Sequence, residues 1–435
     1  MNTGQTVSLR NAIFININIM LGIGIFINTV VLAKQMGWIG GLLYLAVGFL
    51  MLPLVLSMVA LLRLHPGGNF YTFGAKEMGS FAGFINTWGF FSAKLASSAL
   101  MIHIPVLLIQ ELIPPCALVS PYIIDFFILS IFIGLNLLDV KTGGAIQTAF
   151  LGFKLIPMLF TILGGIFLFH GSYLSLDHIR WKGILNGFPL LVYTATGFES
   201  AVSLSSKIEN SEKNAPQAIL YSYAIVMGIA ALFQVIFFGA IGPALETAID
   251  YRAAFPSLIA LMSPANSLLT HKILAVLYLA IASSALGGSY GLIFSNSWNL
   301  YSLAQHNHLF FSKLFTSLNK YQIPWACILA EGVLCFFYLA ATRGAQVPLQ
   351  QLAVLGSTVT YTFCALALLI AKLRKPYLAV SLWTPILGLA SCSLLLATCM
   401  KAFFIEGMTA FFAFLVILLL GSWMFYRKNA AHANQ

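Results

Sequence analysis

Long stretches of apolar residues with few or no charges follow one another from about residue 10 to residue 426. That pattern constrains the fold more than any motif. A helix needs about 20 apolar residues to cross the hydrocarbon of a bilayer, and these stretches are long enough. Of the 435 residues, 60% are hydrophobic and 8% are charged, against about 25% charged in soluble domains. The mean hydropathy is +0.92. A transmembrane β-barrel would show short segments alternating in polarity, and none is seen. The composition predicts an all-α membrane protein that lies in a lipid bilayer and crosses it many times.

Twelve transmembrane helices are expected, over 10–34, 38–62, 80–110, 120–138, 144–170, 185–206, 217–242, 272–303, 323–341, 348–372, 378–400 and 404–426. No long hydrophilic segment interrupts them, so residues 1–435 read as one domain without linkers. The first apolar run is too long for a cleavable signal and has no small-residue cleavage site. If the N-terminus is inside, 13 of the 22 Lys and Arg residues fall in cytoplasmic segments and seven in outer ones. Lys94 and Lys154 fall within spans. The bias predicts that both termini are cytoplasmic in a multi-pass cell-membrane protein. The formal charge of +10 then records topology and not a nucleic-acid partner. The six cysteines form no C-x-x-C pair and lie mostly in apolar runs, as inert buried thiols do.

Two spans are irregular where a helix should be most regular. INIMLGIGIFINTV in the first carries Gly22 and Gly24, with Asn18 and Asn28. FPLLVYTATGFESAVSLSS in the sixth carries Thr194, Thr196, Gly197 and Glu199. The breaks are five spans apart, and because five is odd the second copy enters the membrane from the opposite side. This predicts inverted repeats over about 10–170 and 185–372, with two additional C-terminal helices over 378–426. Inverted repeats with a discontinuous helix in each half mark many secondary transporters.

The physics of the breaks suggests what they hold. Glycine lets the backbone leave helical geometry, and unwound backbone at membrane depth is tolerated only where it lines a cavity or is buried in protein. Free N–H groups around Gly22, Ile23, Gly24 and Ile25 open a half-helix and favour an anion. Free carbonyls around Tyr193 to Thr196, before Gly197, close one and favour a cation. Together they suit a zwitterion such as an amino acid. A lone G-x-G is more often a packing device, but two breaks at matching positions argue otherwise.

These residues also carry a resemblance. Gly22-Ile23-Gly24-Ile25-Phe26 resembles the G-S-G-I-F of the amino acid–polyamine–organocation (APC) superfamily. Gly197-Phe198-Glu199-Ser200-Ala201 is similar to its G-F-E-S-A. Lys154-Leu155-Ile156-Pro157, the segment Ile208–Ile219, and Asn319-Lys320 with Pro324 resemble further motifs, in order, over roughly residues 8 to 376. The resemblance implies a LeuT-type 5+5 inverted repeat and alternating access to an amino acid or amine at mid-membrane. It implies either proton symport or exchange of an amino acid for its decarboxylated amine. The family's serine in G-S-G is Ile23 here, so carboxylate binding would rest on backbone N–H groups alone. Lys207 and Ile208 replace the acidic pair that usually follows the sixth span, and the R-D-G after the eighth is replaced near Gln305, His306 and Asn307.

Charges within spans are costly and mark function. By the resemblance, Lys154 stands where some proton-coupled members carry a lysine in place of a sodium ion. Its ammonium would bind the unwound first span until the proton leaves; the alternative is a snorkelling lysine. Lys94, Ser98 and Met101 share one helical face on the third span, which lines the pocket in this fold. Lys94 is expected either to meet a substrate carboxylate or to pair with Glu199 or another buried acid. Glu199 either carries a proton or orders the broken helix. By the resemblance, Tyr193 matches an aromatic gate over the substrate, where ordinary aromatic packing is the alternative.

Only His103 among the eight histidines sits well inside a span, and His306-x-His308 has no further metal-ligand spacing. No H-E-x-x-H, G-x-S-x-G or P-loop occurs. Neither an enzyme, a cofactor, a metal site nor an ATP-driven pump is expected. The competing class is a proton-translocating subunit of a larger membrane complex. The last two spans are candidates for contacts in a homodimer.

Overall fold

The computed structural model describes residues 6–262 and 268–433. The side chains of Lys141, His178 and His432 lie outside the described set. In chain order the helices are α1 (Leu9–Met20), α2 (Gly24–Met36), α3 (Ile39–Leu64), α4 (Phe70–Met78), α5 (Ser80–Leu112), α6 (Pro114–Ala117), α7 (Pro121–Asn136), α8 (Val140–Phe167) and α9 (Ile184–Ala195). They continue as α10 (Ser200–Ser203), α11 (Ser211–Thr247), α12 (Tyr251–Met262), α13 (Leu268–Gln305), α14 (Ser312–Phe315), α15 (Trp325–Thr342), α16 (Gln346–Arg374), α17 (Trp383–Glu406) and α18 (Thr409–Ala433).

Among the described residues the fold is all-helical, and ten stretches are long and apolar enough to cross a membrane, α1 and α2 counting together as one. Two expected spans fall below that length: α7, with 16 residues, and the α9–α10 pair, which is interrupted. The sequence predicts loops where α4 and α12 stand. Both are too short to span, at nine and 12 residues. Asn69 starts α4 by accepting a hydrogen bond from the Thr72 N–H at 3.1 Å, the side-chain cap that begins many helices. Gly79 ends it at φ +100°.

Burial separates lipid-facing from core-facing sides. On α8, Gln147, Lys154, Met158 and Thr161 are buried at helical spacing, while Phe153, Leu159, Leu163 and Phe167 point outward. The middle of α5 is buried all round, as expected of the central helix of a bundle. It packs against α13, α16 and α15. An isolated parallel bridge joins Val7 to Ile208: the Val7 N–H donates to the Lys207 carbonyl at 2.8 Å, and the Glu209 N–H donates to the Val7 carbonyl at 3.0 Å. It ties the entry of α1 to the segment beyond α10.

Candidate functional site at two helix breaks

Both expected breaks are present. α1 stops at Met20 and α2 begins at Gly24. α9 stops at Ala195, Thr196 is extended, and Gly197 adopts φ +117° before α10. Only glycine takes that backbone at low cost. The breaks pack on each other: a Cβ at Gly197 would lie 2.8 Å from Cγ2 of Ile19 and 3.0 Å from the Met20 nitrogen.

Buried backbone groups need partners, and four carbonyls at the breaks have them from side chains. Asn16 Nδ2 donates to the Phe198 carbonyl at 2.7 Å. Ser284 Oγ donates to that of Leu21 at 3.1 Å. Thr196 Oγ1 donates to that of Tyr193 at 2.8 Å. Lys154 Nζ donates to the Asn18 carbonyl at 2.7 Å and is fully buried, so it does not snorkel. Asn18 is anchored in turn through Nδ2 to Oε1 of Gln147 at 2.6 Å.

Lys94 and Glu199 form a buried ion pair at 2.6 Å, the arrangement weighed against a substrate contact. Lys94 also lies over the Phe90 ring at 5.0 Å. The other Glu199 oxygen accepts the Gly197 N–H at 2.8 Å. That hydrogen bond lies within the break itself, while α10 receives no side-chain cap.

The candidate anion site is filled by protein side chains. A Cβ at Gly22 would meet Cε of Met101 at 2.5 Å, and one at Gly24 would meet the Tyr193 ring at 3.2 Å. Met101 also touches the Gly288 face of α13. Ile23 and Ile25 are buried, as are Ser98 and Thr196. The Ser98 carbonyl accepts from Ser289 Oγ at 3.3 Å. At the nearby end of α10, Lys207 lies over the Trp298 ring at 4.4 Å, and burial pushes its ammonium down from the usual lysine range.

Other residues lie apart from the breaks. His103 is paired with Asp125 of α7 at 2.7 Å. His306 stacks on Tyr71, and His308 Nε2 is 2.9 Å from the Tyr71 hydroxyl. No metal-binding cluster occurs among the described residues. Two buried acids within the expected spans escaped the sequence reading, Asp125 and Glu331. Both are lone acids in apolar runs, the same signal that singled out Lys94.

The family model for amino acid permeases matches residues 7–428. The chain belongs to the amino acid permease family. The permease is 22% identical over 401 residues to a D-serine/D-alanine/glycine transporter of Escherichia coli K12, covering 86% of this chain and 80% of that one. It is 25% identical over 356 residues to an uncharacterized transporter of Mycobacterium tuberculosis H37Rv, covering 78% and 75%. It is 26% identical over 219 residues to an arginine/ornithine antiporter of Latilactobacillus sakei, covering 45% and 44%. The APC resemblance of the sequence motifs is thus the family of the whole chain, and the permease is a multi-pass membrane protein of a family of transporters.

Proposed function

We propose that this permease is a secondary active transporter of amino acids in the cell membrane. It works by alternating access around the two breaks and couples transport to protons through Lys154 and Glu199. The observation that carries the reading is the mutual packing of the breaks, with Gly197 against Ile19 and Met20. The Tyr193 ring against Gly24 supports a reading in which the N–H groups after Gly22 and the end of α9 serve one zwitterion. Adding α7 and the α9–α10 pair to the ten long stretches gives twelve spans, and the five-span distance between breaks supports a LeuT-type inverted repeat. Both termini then face the cytoplasm.

The Lys94–Glu199 pair bears on substrate class. Lys94 is already answered by an internal carboxylate, so the site offers little net charge to a side chain. This favours a small neutral amino acid over an acidic one, in keeping with the substrates named for the Escherichia coli relative. Met101 and Tyr193 must swing away to admit it.

The test is thermal stability of the purified protein with a panel of common amino acids and polyamines, since a ligand that binds only the folded state raises the melting temperature. A shift with small neutral amino acids is expected. A shift only with glutamate and aspartate would overturn the assignment of Lys94, and no shift with any compound would overturn the zwitterion site. Counterflow without a proton gradient distinguishes symport from exchange of an amino acid for its amine.

A further inference from the structure

Glu331 lies in the middle of α15, fully buried, and nothing in the transport scheme above uses it. Among the described residues its hydrogen-bond partner is Asn296 of α13, whose Nδ2 lies 3.0 Å from each carboxylate oxygen. The same Nδ2 lies 3.0 Å from the Phe91 carbonyl. Three acceptors therefore compete for the two hydrogens of one amide.

Among the described residues no cation answers the carboxylate. α15 packs against α5, α7, α13 and α14. Lys94 of α5 is held by Glu199, and His103 of α5 and Asp125 of α7 hold each other. Tyr301 of α13 faces Cys327, and Lys313 of α14 is exposed. From its own helix Glu331 is faced by Cys327, Cys335 and Tyr338, which are neutral or would turn negative. A buried carboxylate without a counter-charge is strongly disfavoured, and taking up one proton removes the charge.

The amide chain leads on to the second break. Asn299 Nδ2 donates to Asn296 Oδ1 and to Ser203 Oγ, both at 3.0 Å, while Asn299 Oδ1 has no partner among the described residues. With Glu331 ionised, Asn296 presents its NH2 to the acid and its oxygen to Asn299. With Glu331 protonated, the acid's O–H is met by the Asn296 oxygen. Asn296 turns its NH2 towards Asn299, whose amide turns in step so that its oxygen accepts from both Asn296 and Ser203, and Ser203 becomes a donor instead of an acceptor. Ser203 is the last residue of α10, and Glu199 immediately precedes the helix.

We infer that Glu331 is a further proton-binding residue of the transport cycle, beside Lys154 and Glu199, read out on α10 through Asn296, Asn299 and Ser203. The proton comes from bulk water and returns there, and no other bond is made or broken. The inference rests on the transport reading for its consequence, but the site can be tested alone.

The first measurement is the infrared difference spectrum of the purified protein between acid and alkaline pH. A titrating carboxylic-acid carbonyl band that disappears in Glu331→Gln is expected. No titrating band, or one unchanged in that variant, overturns the inference whatever the substrate proves to be. The second measurement uses proteoliposomes and a labelled mixture of the common amino acids. In Ser203→Ala, gradient-driven accumulation relative to exchange should fall about tenfold, a typical size for coupling between sites, while the Glu331 band persists. An unchanged ratio overturns the relay. Absence of any accumulation or exchange in the wild type would count against amino-acid transport and leave the infrared result to decide Glu331. If Glu331→Gln fails to fold, Glu331→Asp should move the midpoint of the band, and an unmoved midpoint overturns the site.

Discussion

Lys94 of α5 and Glu199 at the second helix break form an ion pair at 2.6 Å, with 2% and 0% of their side-chain surfaces exposed. Removing either partner alone strands a buried charge, which costs about 3–5 kcal/mol. Replacing both with Lys94→Met and Glu199→Gln strands none. The double variant is therefore expected to melt well above either single variant in detergent while failing to take up substrate. A double variant no more stable than the singles would mean that the charges do not depend on each other.

Lys154 holds the Asn18 carbonyl at the first break. If its proton is part of the cycle, Lys154→Arg keeps a donor there but not a group that can lose its charge. We expect accumulation driven by a proton gradient to collapse in Lys154→Arg and in Lys154→Met. Wild-type accumulation in Lys154→Arg would assign the residue a purely architectural role.

The two break glycines should respond differently to alanine. At Gly22 the hardest contact of a new Cβ is the end of a flexible side chain, Cε of Met101, so Met101→Ala should partly rescue Gly22→Ala. At Gly197 the backbone has φ +117° and the new Cβ meets the Met20 nitrogen at 3.0 Å, which no side-chain truncation relieves. Strain of this kind costs about 1–3 kcal/mol. Melting curves of the three variants check the contrast.

His308, in the loop beyond α13, is pushed down to about 4 by burial and then by the neighbouring His306 charge. Its unfolded value is about 6.5, so between those limits the unfolded chain binds more protons. The stability it contributes is complete above about pH 6.5 and is lost as the pH falls towards 4. The melting temperature should decline over that window in the wild type and less steeply in His308→Asn. Equal slopes would contradict the assignment.

The architecture was legible because lipid imposes one simple rule. Spans must be apolar and helical, and Gly22, Gly24 and Gly197 break that rule in the open. The Lys94–Glu199 pair was legible only as one of two alternatives, since helical spacing gives the face a side chain shares and not the neighbour it meets. α4 and α12 were missed because short helices lying outside the spans leave no hydropathy signal. Met101 was read as sharing a helical face with Lys94 and Ser98, but its seat against Gly22 and Gly288 depends on the meeting of α1, α5 and α13. Asn296, Asn299 and Ser203 are distant in sequence from Glu331, and only packing makes them a chain.

The short bridge between Val7 and Ile208 joins the segment before α1 to the segment beyond α10. The helix that leads into the first break and the segment that leaves the second share it as a common handle. Under the alternating access proposed above, opening at that edge would swing both broken helices as a unit or first break two backbone hydrogen bonds. In that proposal the residues just before α1 would serve as a clasp, one that fastens the entry of one break to the exit of the other.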